Sequence, residues 1–473
     1  MIDIKEGLSF DDVLIIPNYS ENYSRKDCNT AGKLTKHISL TTPIIGANMD
    51  TVCGDEMAIA LARLGGIGFI HRFNTIEEEV ELVRRVKHFK TFKIEHPRTC
   101  RPDQLVAEVK TISGETGISG FLVEEYGRLI GIVSRRDLNG ADDHQSIRDV
   151  MTKNVISAPF DIALAAAEEL LEKNKIEKLP LVDEYRAIRG LITYTDLQKQ
   201  KRYPHASVDK KGRLLVGAAV GVKDTVERAR ALIAAEVDIL VLDIAHGHNK
   251  RAIDAVRLLK KEFPTMPIVA GNVATARATE DLITAGADCI KVGIGPGAAC
   301  TTRIVTGCGV PQITAIIDCA TVASKHDIPL IADGGIKSGG DVIKALAAGA
   351  DTVMVGRLLS GTTESPGMMM VKNGRKVKVY RGSSSFDVNI KQKKLYEKML
   401  DIKEVTDVVP EGVEATVPYS GDVVEVINQL MGGLRSGMSY VGAKNLQELK
   451  YKAEFIKISS AGMKESNHHN VDV

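Results

Sequence analysis

The chain has 473 residues, a length that no single ordinary core fills unless a barrel of roughly 250 residues or more takes up most of it. Its 62 Lys+Arg against 61 Asp+Glu leave a formal charge of +1, so no global field favours nucleic acid or an anionic membrane. No apolar run approaches the roughly 20 residues of a membrane helix, and the first six residues alternate charged with apolar side chains and lack a signal-peptide core; a cytoplasmic protein with no membrane and no specific nucleic-acid partner is expected.

In chain order, short β-branched runs ending in Gly, Asp or Asn alternate with stretches of helical periodicity. The first two runs span 43–47 and 66–70. About 140 residues separate the second from the third, far more than a βα unit needs. A separate inserted domain is therefore expected, dividing the chain into 1–94, 95–203 and 204–473. The insert repeats itself: Gly-Ile-Val-Ser-Arg-Arg-Asp-Leu at 131–138 reappears as Gly-Leu-Ile-Thr-Tyr-Thr-Asp-Leu at 190–197, each copy preceded by a strand with a turn. The copies resemble a tandem pair of CBS modules. That resemblance implies an adenine nucleotide held by Ser134 and Asp137 in one copy and by Thr193 and Asp196 in the other. The same pattern also describes a helix N-cap with an acidic third residue, which needs no ligand.

Six more runs follow, at 215–218, 239–243, 268–271, 289–293, 330–333 and 352–356. Near-continuous apolar strands between helices imply a parallel sheet covered on both faces. Three of them are introduced by related text at 234–238, 285–288 and 348–351, each with an Asp just before the strand, the mark of a repeated αβ unit. Eight strands predict an α/β fold of the closed (β/α)8 TIM barrel type, with the open doubly wound sheet as the alternative.

The segment Lys-Val-Gly-Ile-Gly-Pro-Gly-Ala-Ala-Cys-Thr-Thr-Arg at 291–303 runs off the sixth strand, on the face where barrel enzymes place their active sites. Its glycines let the backbone approach a ligand. The seven cysteines (Cys28, Cys53, Cys100, Cys289, Cys300, Cys308 and Cys319) form no Cys-x-x-Cys pair, so each by itself reads as a reduced, buried hydrophobe. Cys300 is the exception, being flanked by hydroxyls and by Arg303, which favours a thiolate if it lies close. Asp333-Gly334-Gly335 and Gly356-Arg357 end the seventh and eighth strands, where barrels cradle a phosphate with backbone N–H groups. His246 and His248 lack the further Cys or His that a zinc set requires.

Together with segments 7–14, 49–52, 65–68, 243–248, 270–273 and 432–438, these motifs make the chain similar to the IMP dehydrogenase/GMP reductase family over essentially its whole length. The resemblance implies that Cys300 attacks C2 of bound IMP while a hydride passes to NAD, and that water, activated by Thr302 and Glu411, hydrolyses the thioimidate. It places Asp333 on the ribose hydroxyls, the phosphate on Gly335, Gly356 and Tyr380, and Gly334, Arg357, Gly382, Ser383, Ser384 and Glu411 around the nucleotide. Asp243, Asn272, Gly293 and Gly295 fall on the cofactor side. Carbonyls of Gly295, Gly297 and Cys300 would hold K+, helped by Glu465 and Ser466 of a neighbouring subunit in a homotetramer or octamer, and an adenine or guanine nucleotide would occupy the CBS pair.

The chain also departs from the family pattern. Ala298 stands where a phosphate-binding Ser is usual, Arg357 where Ser or Gly is usual, and Ile244 where a hydroxyl is usual; Arg357 can itself grip phosphate as a bidentate donor. The dehydrogenase branch carries an Arg-Tyr pair on a flap, whereas here 391–397 reads Lys-Gln-Lys-Lys-Leu-Tyr-Glu. Lys394 and Tyr396 are the nearest substitutes, and a solvated helical face is the plainer reading. Ser384-Ser385 and segment 439–442 point to the reductase branch, which converts GMP and NADPH to IMP and ammonia. The flap length, Phe386 in place of the reductase Glu, and segment 461–466 point to the dehydrogenase branch, which is the reading adopted. A catalytically idle nucleotide sensor built on the CBS pair is a third reading, opposed by the intact Cys300-Thr301-Thr302.

Overall fold

Eight parallel strands, each three to six residues long, close on themselves in a ring. They are β1 (Ile44–Gly46), β2 (Ile67–Ile70), β3 (Gly217–Val220), β4 (Ile239–Asp243), β5 (Ile268–Val273), β6 (Cys289–Val292), β7 (Leu330–Asp333) and β8 (Thr352–Val355), with β8 pairing back onto β1. The computed structural model describes residues 4–22, 24–89, 93–94, 97–195, 197 and 203–396, together with 408–467. The expected TIM barrel is present. Nearly every strand residue is buried, because helices cover the outside while side chains fill the inside.

One strand begins later than its sequence suggests. The run at 215–218 reads as the third strand, yet the ladder starts at Gly217. The Leu215 N–H goes instead to the Ser207 carbonyl, at 2.9 Å, and the Val216 N–H to the Asp238 carboxylate, also at 2.9 Å.

The second of these bonds shows what the repeated Asp does. Asp238, Asp288 and Asp351 each accept the N–H of the residue just before or at the start of the preceding strand: Val216, Ile268 and Leu330, at 2.8 to 2.9 Å. Each also returns its own N–H to that residue's carbonyl. A lysine then balances each carboxylate: Lys87 for Asp238, Lys260 for Asp288 and Lys450 for Asp351. The repeat is a lock on strand register at the face opposite the loops that follow the strands, the face that serves stability in such barrels.

The signature at 432–438 has a packing explanation. Gly433 of the helix Val423–Val441 meets Gly339 of the helix Gly339–Ala347, and a Cβ on either would come within 2.8 Å of the other's Cα. Only glycine permits that approach.

Contacts divide the chain into two units, Met1–Phe89 with His205–Asp209 and Leu214–Val473, and Lys90–Pro204 with Lys210–Arg213. The second unit contains two similar halves. One pairs the strands Thr99–Cys100, Gly120–Glu125 and Arg128–Ser134; the other pairs Ala158–Pro159, Lys178–Val182, Ile188–Thr193 and Lys93–Ile94. Each half has its own apolar cluster, around Phe121 and Val133 in one and around Leu179 and Ile192 in the other. No described helix is long and apolar enough to cross a membrane.

Asp288→Ala should lower stability by about 1–3 kcal/mol, because the Ile268 N–H loses its acceptor and Lys260 its counter-charge. A thermal melt should show a fall of several degrees with cooperativity retained, and an unchanged midpoint would refute the register lock.

Candidate active site

The loop carrying Cys300 leaves β6 through glycines that nothing else can replace. Gly293 sits at φ +150°, and a Cβ there would lie 2.0 Å from the Asp333 carbonyl. The Cys300 thiol donates to Thr302 Oγ1 at 3.1 Å. Arg303 is not the thiolate's partner, contrary to expectation. Its Nε donates to the Ile294 carbonyl at 3.2 Å and its Nη2 to the Val310 carbonyl at 2.6 Å, so it braces the loop. Two segments beyond the barrel, one following the strand Arg375–Arg381 and one preceding the strand Glu414–Pro418, close over the same loop. The Thr301 N–H reaches the Glu411 carbonyl at 2.8 Å and the Val413 N–H reaches the Ala299 carbonyl at 2.9 Å.

The cysteines separate by burial. Cys28, Cys53, Cys100, Cys289 and Cys319 are buried, Cys308 is exposed and Cys300 is half-buried. Burial pushes the thiols of Cys100 and Cys319 up to about 12 and those of Cys53 and Cys289 higher still, which leaves them protonated and inert.

At the end of β7, Asp333 Oδ2 receives the Lys291 ammonium at 2.7 Å and the Asn272 amide at 2.9 Å. Asn272 also donates to the Gly293 carbonyl at 2.8 Å, tying β5, β6 and β7 together at one point. Lys291 is almost fully buried, and its role was not read from the sequence, although a lone lysine in the strand Cys-Ile-Lys-Val was a usable signal. The Tyr380 phenol is pushed up to about 12, chiefly by burial and then by the Asp333 charge, so it stays neutral.

Two adjoining cavities, of about 190 and 270 Å³ and sharing Asp333, Gly334 and Tyr380, gather most of the predicted residues. The first takes Cys300, Thr302, Glu411, Gly382, Ser383 and Ser384, with Asp243, Asn272, Gly293 and Gly295 on one side and Gly297 on the floor. The second takes Gly335, Gly356 and Arg357, along with Phe10 of the signature segment 7–14 and Gln312, which the sequence had not singled out. Arg72, likewise unforeseen, lines the first cavity and pairs with Asp243 at 3.2 Å.

Other predicted residues lie elsewhere. Lys394 is exposed on the helix Phe386–Tyr396 and lines neither cavity, while Tyr396 sits under the Lys223 ammonium at 4.9 Å beside a third cavity that also borders Asp243. Glu465 and Ser466 are exposed, at and just beyond the end of the helix Ser460–Glu465, and line neither cavity. Ser134 and Asp137 form a reciprocal capping box, with the Asp137 carboxylate taken up by the Ser134 N–H and hydroxyl. Thr193 ends its strand and Asp196 lies outside the described residues. His248 pairs with Asp281 at 2.8 Å, and the described residues contain no cluster of three metal-ligating side chains.

A domain model described as IMP dehydrogenase / GMP reductase matches residues 7–469. An inosine-5'-monophosphate dehydrogenase of Nitrosopumilus maritimus is 49% identical over 99% of both chains. A GMP reductase of Leishmania donovani is 45% identical over 99% of this chain and 98% of its own. Among solved structures, a GMP reductase of Trypanosoma brucei in complex with guanosine 5'-monophosphate superposes with a TM-score of 0.88 at 43% identity, covering 99% of each chain.

Next to the first cavity, His71 is buried with its Nδ1 unpartnered, and burial lowers its pKa from 6.5 to about 4 against the opposing charge of Asp50. The folded state therefore holds it neutral. Its contribution to stability is complete above pH 6.5 and is lost as pH drops from 6.5 towards 4, by about 3 kcal/mol across that window. Denaturant unfolding at pH 7 and pH 4.5 should show a smaller acid loss for His71→Phe than for the parent chain.

Proposed function

The chain belongs to the IMP dehydrogenase/GMP reductase domain family, and from that premise we propose that its cleft oxidises IMP to XMP with NAD through a covalent adduct on Cys300. The observation that carries this reading is the half-buried Cys300 thiol, 3.1 Å from the Thr302 hydroxyl, in one cavity with the pinned carboxylate of Asp333. NAD, when bound, accepts the hydride that leaves C2.

The chain's own groups divide the work. Lys291 and Asn272 fix Asp333 by one oxygen, leaving the carboxylate oriented to accept the two ribose hydroxyls. The N–H groups around Gly335 and Gly356, with Arg357 and the neutral Tyr380 hydroxyl, take the phosphate. Cys300 Sγ bonds to C2 as the hydride departs, and the thiol proton leaves through Thr302. Water then adds to C2 and the C2–S bond breaks, returning the thiolate and releasing XMP. Thr302 and Glu411 receive the water's proton, since Lys394 lies away from the cavity. Asp243, already paired with Arg72, offers carboxylate oxygens suited to hydroxyls of the cofactor. The carbonyl-rich turn Gly295, Gly297 and Cys300 suits K+, a hard cation, with Glu465 and Ser466 supplied by a second subunit of a homotetramer or octamer. The two halves of residues 90–204 are read as the CBS pair, which takes an adenine or guanine nucleotide.

The reductase is the second reading, favoured by the lack of a flap arginine and by the likeness to the Trypanosoma brucei structure. Protein in K+ buffer is given IMP with NAD, or GMP with NADPH, and absorbance at the nicotinamide band is followed. NADH formation from IMP supports the dehydrogenase; NADPH consumption with GMP alone supports the reductase; neither supports the idle sensor. Cys300→Ala should abolish turnover and spare nucleotide binding, and Thr302→Ala should slow the steady phase while a first burst of NADH survives.

Excising 90–204 behind a short flexible linker should leave a barrel that still turns over, because that segment supplies no barrel strand. Nucleotide effects on rate should vanish with it. A folded but inactive deletion would contradict this division of labour.

A further inference from the structure

The chain enters the flap at Arg381 and returns through Glu411, Gly412 and Val413. Its incoming stem is tied to the loop after β1. Arg381 Nε donates to the two Asp50 oxygens at 3.1 and 3.0 Å, its Nη2 donates to Oδ2, and its backbone N–H donates to Thr51 Oγ1 at 3.2 Å. The Asp50 side chain is only 5% exposed and that of Arg381 27%. An exposed pair would contribute little, but breaking one this enclosed leaves an uncompensated charge.

Backbone hydrogen bonds continue from that pair to the nucleophile. The Gly382 N–H meets the Val413 carbonyl at 3.1 Å, and the Val413 N–H meets the Ala299 carbonyl at 2.9 Å; Cys300 itself forms an antiparallel bridge with Gly412. The three segments are in close contact. A Cβ at Gly382 would come within 2.9 Å of the Ala299 carbonyl oxygen and one at Gly412 within 3.1 Å, so the stems cannot slide without moving the loop. Neither Asp50 nor Arg381 lines the cavities, which excludes direct contact with a ligand held there.

We propose that the Asp50–Arg381 pair is the positioning device of Cys300, fixing the nucleophile loop through the flap stems. The proposal rests on Cys300 being the nucleophile, and its test includes one measurement that needs no turnover. In unliganded protein, iodoacetamide labelling of Cys300 is compared by peptide mass spectrometry with labelling of the exposed Cys308, an internal standard. Arg381→Met should shift the Cys300 to Cys308 ratio by at least about threefold, since thiol reactivity follows its immediate surroundings. In stopped flow with IMP and NAD, the burst rate should fall by about 10- to 100-fold, the scale of a misplaced reacting group, with a smaller change in KM for IMP. Arg381→Lys keeps the charge without the bidentate fork and should recover part of both.

An unchanged ratio and burst rate in folded Arg381→Met overturns the proposal. Absence of any burst in the parent chain instead refutes the dehydrogenase reading, and the labelling ratio still decides the positioning role. If Arg381→Met does not fold, the isosteric Asp50→Asn carries the same two measurements, with the same outcomes deciding.

Discussion

Closure of the barrel is the constraint from which the rest follows. Strands of three to six residues have too few ladder bonds to stand alone, and an open parallel sheet of them would leave two unpaired edges. Pairing β8 back onto β1 removes both edges. Closure also sends all eight strand ends to one rim, so groups from β4, β5, β6 and β7, distant in sequence, become neighbours. The Asp-to-strand bonds at the other rim hold the register that closure demands.

Within that rim the chemistry depends on fixing charge before a ligand arrives. Asp333 is not a free carboxylate: Lys291 and Asn272 hold one oxygen, and Asn272 simultaneously holds the carbonyl of Gly293 at the root of the loop that carries Cys300. One amide therefore couples the Asp333 carboxylate to the loop that carries the thiol. The loop's other flank is held by backbone bonds to the flap stems, so its position answers to two separate parts of the chain. Preorganisation of this kind contributes at the reacting centre because little reorganisation remains when the ligand binds.

Ionisation follows burial here more than proximity of charge. Five buried thiols are held protonated, and the Tyr380 phenol and the His71 imidazole are held neutral; among the cysteines only Cys300 and Cys308 are more than marginally exposed. Of these two, only Cys300 faces a cavity.

The sequence by itself determined the features that are local in nature. Alternation of apolar runs with helical stretches specified eight strands, since a strand buried on both faces must be apolar throughout. The glycine-rich exit at 293–297 marked a sharply turning loop after β6, because a positive φ is written in residue type. The Asp before three strands was visible as a repeat, though not the bonds it makes. The tertiary structure decided what depends on distance between remote residues. It sent Arg303 to two carbonyls rather than to the thiol, placed Lys291 and Arg72 against Asp333 and Asp243, and left Lys394 on an exposed helical face. It began β3 at Gly217, because Ser207 and Asp238 claim the two preceding amides. A cation's partner is set by which acceptor folding brings within reach, and that is fixed by barrel closure rather than by spacing along the chain.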